Sequence, residues 1–193
     1  MNENKTRDER QLFAVSVRKV IKEDLPQIAE WRMSPEVTQY MYTDPVLTAE
    51  GQLRWFEKIN SGKQFFYRMI LAGQERVGLL YVDIDFENKC CNRQWYIGNQ
   101  NYIGKGIGKV VQYNFNDYCF EQLGMKNQWC EVLAKNTRAV LVNQKLGFDI
   151  TEILKNYVQK NGEWLDVVRM NISKEKWTEL KQNLNYSKME WTK

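Results

Sequence analysis

Residues 103–109 read Ile-Gly-Lys-Gly-Ile-Gly-Lys, with glycines at three alternate positions and two lysines among them. An aromatic apolar run, Trp95-Tyr96-Ile97, precedes them, and a helix-like run begins at Val110. A strand, a tight glycine turn and a helix start follow one another. Such a turn exposes the first backbone N–H groups of a helix, which carry partial positive charge and lack intrahelical acceptors. Glycine admits positive φ and close approach of a ligand. The chemistry this suits is the holding of phosphate oxygens, with Lys105 and Lys109 adding charge. The plain alternative is a glycine-rich corner. Two nucleotide motifs fail here. No Ser or Thr follows Lys109, as the phosphate loop of nucleotide hydrolases requires, and after Gly108 no glycine occurs until Gly124, which breaks the dinucleotide fingerprint.

Proton transfer is constrained by an absence: the chain has no histidine. Ser-His and Cys-His nucleophile pairs and the commonest metal ligand are therefore excluded. Acid–base work falls to Asp, Glu, Tyr, Lys, Cys or water. Cys90, Cys91, Cys119 and Cys130 show neither zinc-ligand spacing nor a Cys-x-x-Cys pair, so reduced structural thiols are expected and no metal. Asp83 and Asp85 share one strand face by the period of two. They could hold an ammonium or sugar hydroxyls, or be exposed strand-end acids.

Composition bounds the class. A length of 193 residues favours one domain, and 43% hydrophobic residues make it globular. The net charge of +4 comes without a Lys/Arg run of the kind that binds nucleic acid, so no such partner is expected. No apolar run reaches the roughly eighteen residues of a membrane span. The polar start, Met1-Asn2-Glu3-Asn4-Lys5, lacks a signal peptide's apolar segment, which makes cytoplasmic residence the expectation.

The elements that must position these residues follow from periodicity and turn chemistry. Residues 1–12 read as a polar extension, 13–184 as the domain and 185–193 as a frayed tail. Alternation predicts a first strand over 13–20. Asp24 is expected to cap a helix through Met33, and residues 37–42 read as a short helical or irregular piece before Asp44-Pro45. Thr48 opens another helix with Leu53, Phe56 and Ile59 as its apolar stripe. Strands are predicted over 64–71, 76–86 and 92–98, a helix over 107–123 and a strand over 128–134. Asn136 caps a helix to Lys145. Strands 148–159 and 164–172 form a hairpin around Asn161-Gly162, and 173–184 is a terminal helix. The order is α+β with one mixed, mostly antiparallel sheet. Trp177, Tyr186 and Trp191 either pack on this domain or serve a homodimer contact.

With these residues in place, the chain resembles the GNAT superfamily of acetyl-CoA-dependent N-acetyltransferases over about residues 13–172. Two segments carry the resemblance: Ile103-Gly104-Lys105-Gly106-Ile107-Gly108, and Glu131-Val132-Leu133-Ala134-Lys135-Asn136 continuing to Asn143-Gln144-Lys145-Leu146-Gly147-Phe148. The resemblance implies a single domain with splayed central strands flanked by helices, and acetyl-CoA lying between those strands. Backbone groups at Trp95, Tyr96 and Ile97 would meet the pantetheine and acetyl carbonyl. Amides of Gly104 through Gly108, with Lys109 behind them, would take the pyrophosphate, and Asn136 would contact the pantetheine arm. Ile103 stands where the family usually has Gln or Arg, and Asn143 where it usually has the Tyr that protonates the leaving thiolate. Asn143 can donate a hydrogen bond to sulfur but cannot be that acid. Glu131, at the place of the family's Glu, is the candidate general base, directly or through water, with an ion-paired strand glutamate as the alternative.

A narrower resemblance precedes the loop. Trp31-Arg32-Met33-Ser34-Pro35-Glu36-Val37, Tyr40-Met41-Tyr42-Thr43-Asp44 and Thr48 to Trp55-Phe56 look like the pseudaminic-acid-pathway N-acetyltransferases, which act on a UDP-4-amino-sugar. By that resemblance Arg32 would pair with UDP phosphates, while Met41, Tyr42 and Trp55 would shape the sugar nucleotide site, with core packing as the alternative for the last three. Asp83, from its strand face and not from the resemblance, is the acid that could hold the ammonium or sugar hydroxyls. Gln52 stands where that family often has His. Acceptors of other kinds are a ribosomal-protein N-terminus or a polyamine, and a non-catalytic acyl-CoA-binding module is the rival outside enzymes.

Overall fold

Alternating apolar residues build one sheet whose two faces are both covered. The computed structural model describes residues 14–61 and 64–192, so the extension expected over residues 1–12 lies outside the described residues. Among those described, eight strands occur: β1 (Val15–Lys19), β2 (Phe65–Ala72), β3 (Glu75–Asp85), β4 (Cys90–Ile97), β5 (Asn127–Leu133), β6 (Asp149–Lys160), β7 (Glu163–Ser173) and β8 (Glu190–Trp191). Six helices flank them: α1 (Leu25–Met33), α2 (Pro35–Thr38), α3 (Ala49–Ser61), α4 (Ile107–Asp117), α5 (Thr137–Lys145) and α6 (Lys174–Lys181). The strand order is β6-β7-β5-β4-β3-β2-β1-β8. Neighbours run antiparallel except β4–β5 at the centre and β1–β8 at the edge.

Neighbouring residues of one strand serve opposite cores, as the pleat requires. Met69 and Leu79 pack with Leu25, Ile28, Trp31, Val37 and Ile59 under α1–α3. Ile70 and Leu80 pack with Val111, Phe115, Phe120, Met170 and Trp177 under α4 and α6. Hence β3 reads as the near-continuous apolar run Val77-Gly78-Leu79-Leu80, buried on both faces. Asn161 and Gly162 both take positive φ in the β6–β7 turn, as the Asn-Gly signal predicts.

Three local expectations are corrected, and one alternative is met. Asp24 does not cap α1 with its side chain. It is fully buried, accepts Arg18 Nη1 and Nη2 at 2.6 and 2.8 Å, and takes the Ile21 N–H at 2.9 Å. On α3, capped by Thr48 Oγ1 at 3.1 Å from the Gly51 N–H, Phe56 and Ile59 face the core as expected, but Leu53 is exposed and Gln52 is buried. Asp85 meets the alternative of an exposed strand-end acid, and in the β3–β4 turn it accepts Asn88 N at 2.9 Å and Nδ2 at 2.7 Å. Finally, the stretch expected to fray is docked as far as Thr192. β8 pairs with β1, Met189 is buried, and the Trp191 ring stacks on Tyr118 at 4.1 Å. Trp177, Tyr186 and Trp191 therefore pack within their own domain.

Candidate active site

The parallel pair at the centre of the sheet is short. β4 and β5 pair only at Cys90–Asn127, Cys91–Gln128 and Asn92–Trp129. Beyond that point β4 stays with β3 as far as Ile97–Gly78, and β5 stays with β7 as far as Leu133–Val167. The strands splay, and the β5-facing backbone of residues 93–97 has no strand partner. Trp95, Tyr96 and Ile97, expected to meet the acyl arm, lie along this open edge.

At the far end of β4 the chain makes a 3-10 turn, Gln100–Tyr102, and enters the glycine stretch. Gly104 and Gly106 have φ of 79° and 82°, and Gly106 is the N-cap of α4 with no side-chain cap. The backbone N–H groups of Gly104, Gly106, Ile107 and Gly108 have no acceptor among the described residues. A Cβ at Gly104 or Gly106 would meet nothing within 4 Å, so the space before these amides is open. Ile107 is buried as an anchor, while a Cβ at Gly108 would stand 2.4 Å from the Trp95 ring, which fixes that glycine by close packing. Ile103, Lys105 and Lys109 surround the cradle; the Lys105 and Lys109 ammonium groups lie over the Tyr102 and Tyr113 rings at 5.1 and 5.6 Å. Unpaired amides, a helix N-terminus and nearby cations fit a diphosphate. Gly106→Val would force a β-branched residue into the left-handed region, a strain of about 1–3 kcal/mol, and fill the open space. Its dissociation constant for acetyl-CoA, measured by calorimetry, should rise by about tenfold or more. An unchanged constant would exclude this loop as the anchor.

Asn136 and Asn143 stand at the start and in the last turns of α5. Asn136 Oδ1 caps the helix by accepting the Ala139 N–H at 3.2 Å, which leaves its amide N–H groups for a ligand. Asn143 is buried; its Nδ2 donates to Cys130 Sγ at 3.6 Å, and its Oδ1 accepts from Arg93 Nη2 at 3.4 Å.

On the other side of the splay the structure joins residues far apart in sequence. Glu131 on β5 accepts the Tyr42 hydroxyl at 2.8 Å and Arg169 Nη2 and Nε at 2.7 and 3.0 Å. Burial and the bond to Glu131 push the Tyr42 phenol well above its usual range, so it remains a donor. Arg169 sits opposite Glu131 in the β5–β7 register, a cross-strand pair invisible until the register is known. Tyr42 is delivered by a loop that the β6–β7 tip holds down. Lys160 Nζ donates to Thr38 O at 2.6 Å and Met41 O at 3.0 Å and pairs with Asp44 at 2.7 Å; Asn161 Nδ2 donates to Asp44 at 2.9 Å. Met41 itself packs against the α1–α3 core.

Arg32 points into the same loop, donating to Thr38 Oγ1 at 3.2 Å and to Thr43 Oγ1 and O at 2.9 and 3.1 Å. No carboxylate lies within ion-pair distance of it among the described residues. Its field reaches Tyr96, whose buried hydroxyl has no partner and whose pKa burial raises. Trp55 packs edge-on against Tyr67 at 4.9 Å, and Tyr67 lies 4.6 Å from Tyr81. Burial pushes the Tyr81 phenol up to about 12. Asp83 is exposed near the end of that aromatic row, and its carboxylate has no hydrogen bond among the described residues. Among the described residues no cluster of three His, Cys, Asp or Glu side chains could hold a metal, and no helix is long and apolar enough to cross a membrane. Sequence reasoning missed Arg93, Lys160 and Arg169, because each gains meaning only from a partner more than thirty residues away.

Residues 15–149 match the family described as an acetyltransferase (GNAT) domain. An uncharacterised N-acetyltransferase, p20, of Bacillus licheniformis is similar, with 24% identity covering 84% of this chain and 94% of the relative. The acetyltransferase PseH of Campylobacter jejuni is 25% identical over 70% of this chain and 83% of its own length. In fold, a spermidine N-acetyltransferase from Vibrio cholerae, solved with CoA and spermine, superposes with a TM-score of 0.80 at 21% identity, covering 86% of this chain and 98% of that one.

Proposed function

The chain belongs to the GNAT acetyltransferase family, and from that premise we propose that it acetylates the 4-amino group of a UDP-linked amino-deoxy sugar, the chemistry of nonulosonic (pseudaminic) acid biosynthesis. Acetyl-CoA is the co-substrate and supplies an activated acyl group. The amides of Gly104 to Gly108 hold its diphosphate, and the open edge of β4 donates backbone N–H groups to the carbonyl oxygen as charge develops there. Glu131 takes a proton from the attacking amine, directly or through water. Tyr42 and Arg169 hold that carboxylate in place.

The observation that carries the acceptor assignment is Arg32. A guanidinium bonded only to threonine oxygens keeps charge to spend on an anion such as a nucleotide diphosphate. The aromatic row Trp55-Tyr67-Tyr81 offers faces on which a base can stack. The likeness to PseH supports the same acceptor class. A polyamine is the second reading, because Asp83 is exposed without a hydrogen bond and could take an ammonium. Against it, Asp85 is engaged by Asn88, and Glu131 and Asp44 are paired with Arg169 and Lys160.

The test is free-thiol release from acetyl-CoA with three acceptors: the UDP-4-amino-sugar, spermidine and an N-terminal peptide. Fast release with the amino sugar alone is expected. Arg32→Ala should then raise KM for that sugar by about 10–100-fold, the loss of a charged hydrogen bond, and leave KM for acetyl-CoA unchanged. Release with spermidine or peptide alone would overturn the acceptor assignment.

A further inference from the structure

Arg93 is a buried cation that the reading above does not use. It is 2% exposed and has no carboxylate within ion-pair distance among the described residues. Its guanidinium lies over the Phe148 ring at 5.0 Å, and its Nε has no partner. Burial lowers its pKa, yet an arginine keeps its proton in a protein. An ionised group without a counter-charge is costly to bury, so something must compensate it.

Its position is specific. Arg93 on β4 and Cys130 on β5 are each the first residue past the last ladder pair, Asn92–Trp129, and so stand at the apex of the splay. Asn143 comes down from α5 between them. Arg93 Nη2 donates to Asn143 Oδ1 at 3.4 Å, and Asn143 Nδ2 spends one of its two hydrogens on Cys130 Sγ at 3.6 Å. The second hydrogen is left over. The titratable groups that face this spot are Cys91 on β4, Cys119 after α4, and Cys130 and Glu131 on β5. Cys91 and Cys119 lie 2.9 Å apart, and burial raises the pKa of the Cys130 thiol. Among the described residues no tyrosine hydroxyl is bonded to Arg93, Asn143 or Cys130, and by the family resemblance Asn143 stands where a phenol acid would.

We propose that Arg93, acting through Asn143, stabilises the leaving group of acetyl transfer as a thiolate, so that no general acid is needed. The inference rests on acetyl-CoA lying in the β4–β5 gap. As the C–N bond forms, the acyl C–S bond breaks, and its electron pair stays on sulfur. The proton lost by the amine goes to Glu131 or water. Arg93 orients the Asn143 amide and supplies positive potential at the sulfur, which is in turn its counter-charge. It is a positioning residue: it holds Asn143, and Asn143 meets the sulfur.

Such an environment must also act on the free product thiol. The experiment titrates bound CoA by the ultraviolet absorbance of its thiolate, as a difference against the desulfo-CoA complex so that the protein thiols cancel. In the wild-type protein the bound thiol's pKa should lie about one unit or more below that of free CoA, the effect of a hydrogen bond to the thiolate with a cation behind it. CoA should accordingly bind tighter as pH rises through that value, while desulfo-CoA should not. Arg93→Met should abolish the shift and lower kcat by about tenfold or more at unchanged KM for the acceptor, and Arg93→Lys should restore most of both. A wild-type thiol that titrates as in free CoA would overturn the proposal with no variant needed. An equal shift in the Met variant would do the same. Failure of both CoA and desulfo-CoA to bind would instead refute the placement of the cofactor.

Discussion

Glu131→Gln should lower kcat by about 10²–10⁴-fold while acetyl-CoA binds as before, the usual contribution of a positioned general base. The substitution isolates the charge. A glutamine oxygen can still accept the Tyr42 hydroxyl, and its volume fits the same site on β5. What disappears is a group able to take a proton, together with one ion pair of Arg169. That guanidinium is partly solvent-exposed and retains Glu152 at 3.0 Å, so its loss of a partner costs little stability. Two readouts separate chemistry from structure. If Glu131 is the base, the deficit of the variant should shrink as pH rises towards the acceptor amine's own pKa, where the amine is already neutral. If Glu131 only ties β5 to β7 and to the loop carrying Tyr42, the melting temperature falls and turnover per folded molecule does not. Unchanged turnover with intact acetyl-CoA binding would remove Glu131 from the mechanism.

Much of this arrangement was legible in the sequence where the cause is local. Alternate glycines at 104, 106 and 108 predict a turn before a helix, and the two positive φ values and the close Trp95 contact show why glycine is needed there. Asn136 before an apolar-periodic run reads as a cap and is one. Asn161-Gly162 reads as a hairpin turn and is one. The mixed sheet with splayed centre was expected from the family resemblance and is found. Where the cause is tertiary, the sequence was silent or misleading. Asp24 before a helix looks like a cap, but a bidentate arginine six residues earlier outcompetes the helix for its oxygens. Leu53 looks like core, with Phe56 and Ile59, but it is exposed and its neighbour Gln52 is buried. Arg93 looks like any strand arginine until β5 and α5 close around it. The tail after α6 has no periodicity, so nothing local announces that it pairs with β1.

The helix before that tail carries the second large effect: Trp177→Ala in α6 should lower stability by about 3–5 kcal/mol, a melting temperature drop of about 6–20 °C for a chain of this size. Trp177 is 1% exposed, and its ring faces Tyr113 at 5.6 Å, which in turn faces Tyr186 at 5.0 Å. Its indole N–H donates to Asp117 at 3.1 Å. The same carboxylate accepts Tyr186 Oη at 2.6 Å and Lys188 Nζ at 3.0 Å, so one acid at the end of α4 ties down both α6 and the strand-forming tail. Burial alone would raise the pKa of Asp117; the three donors outweigh it and leave it lowered. A carboxyl whose folded pKa is depressed contributes stability that is complete above its unfolded value and is lost as pH falls through the folded one. The melting temperatures of wild type and of Tyr186→Phe should therefore differ at neutral pH and converge in acid, whereas the Trp177→Ala deficit should largely persist, because most of it is packing. Scanning calorimetry across pH reads both. A drop of only a degree or two for Trp177→Ala would mean that α6 and the tail are not integral to the core, and parallel acid profiles would remove Asp117 as the group that fastens them.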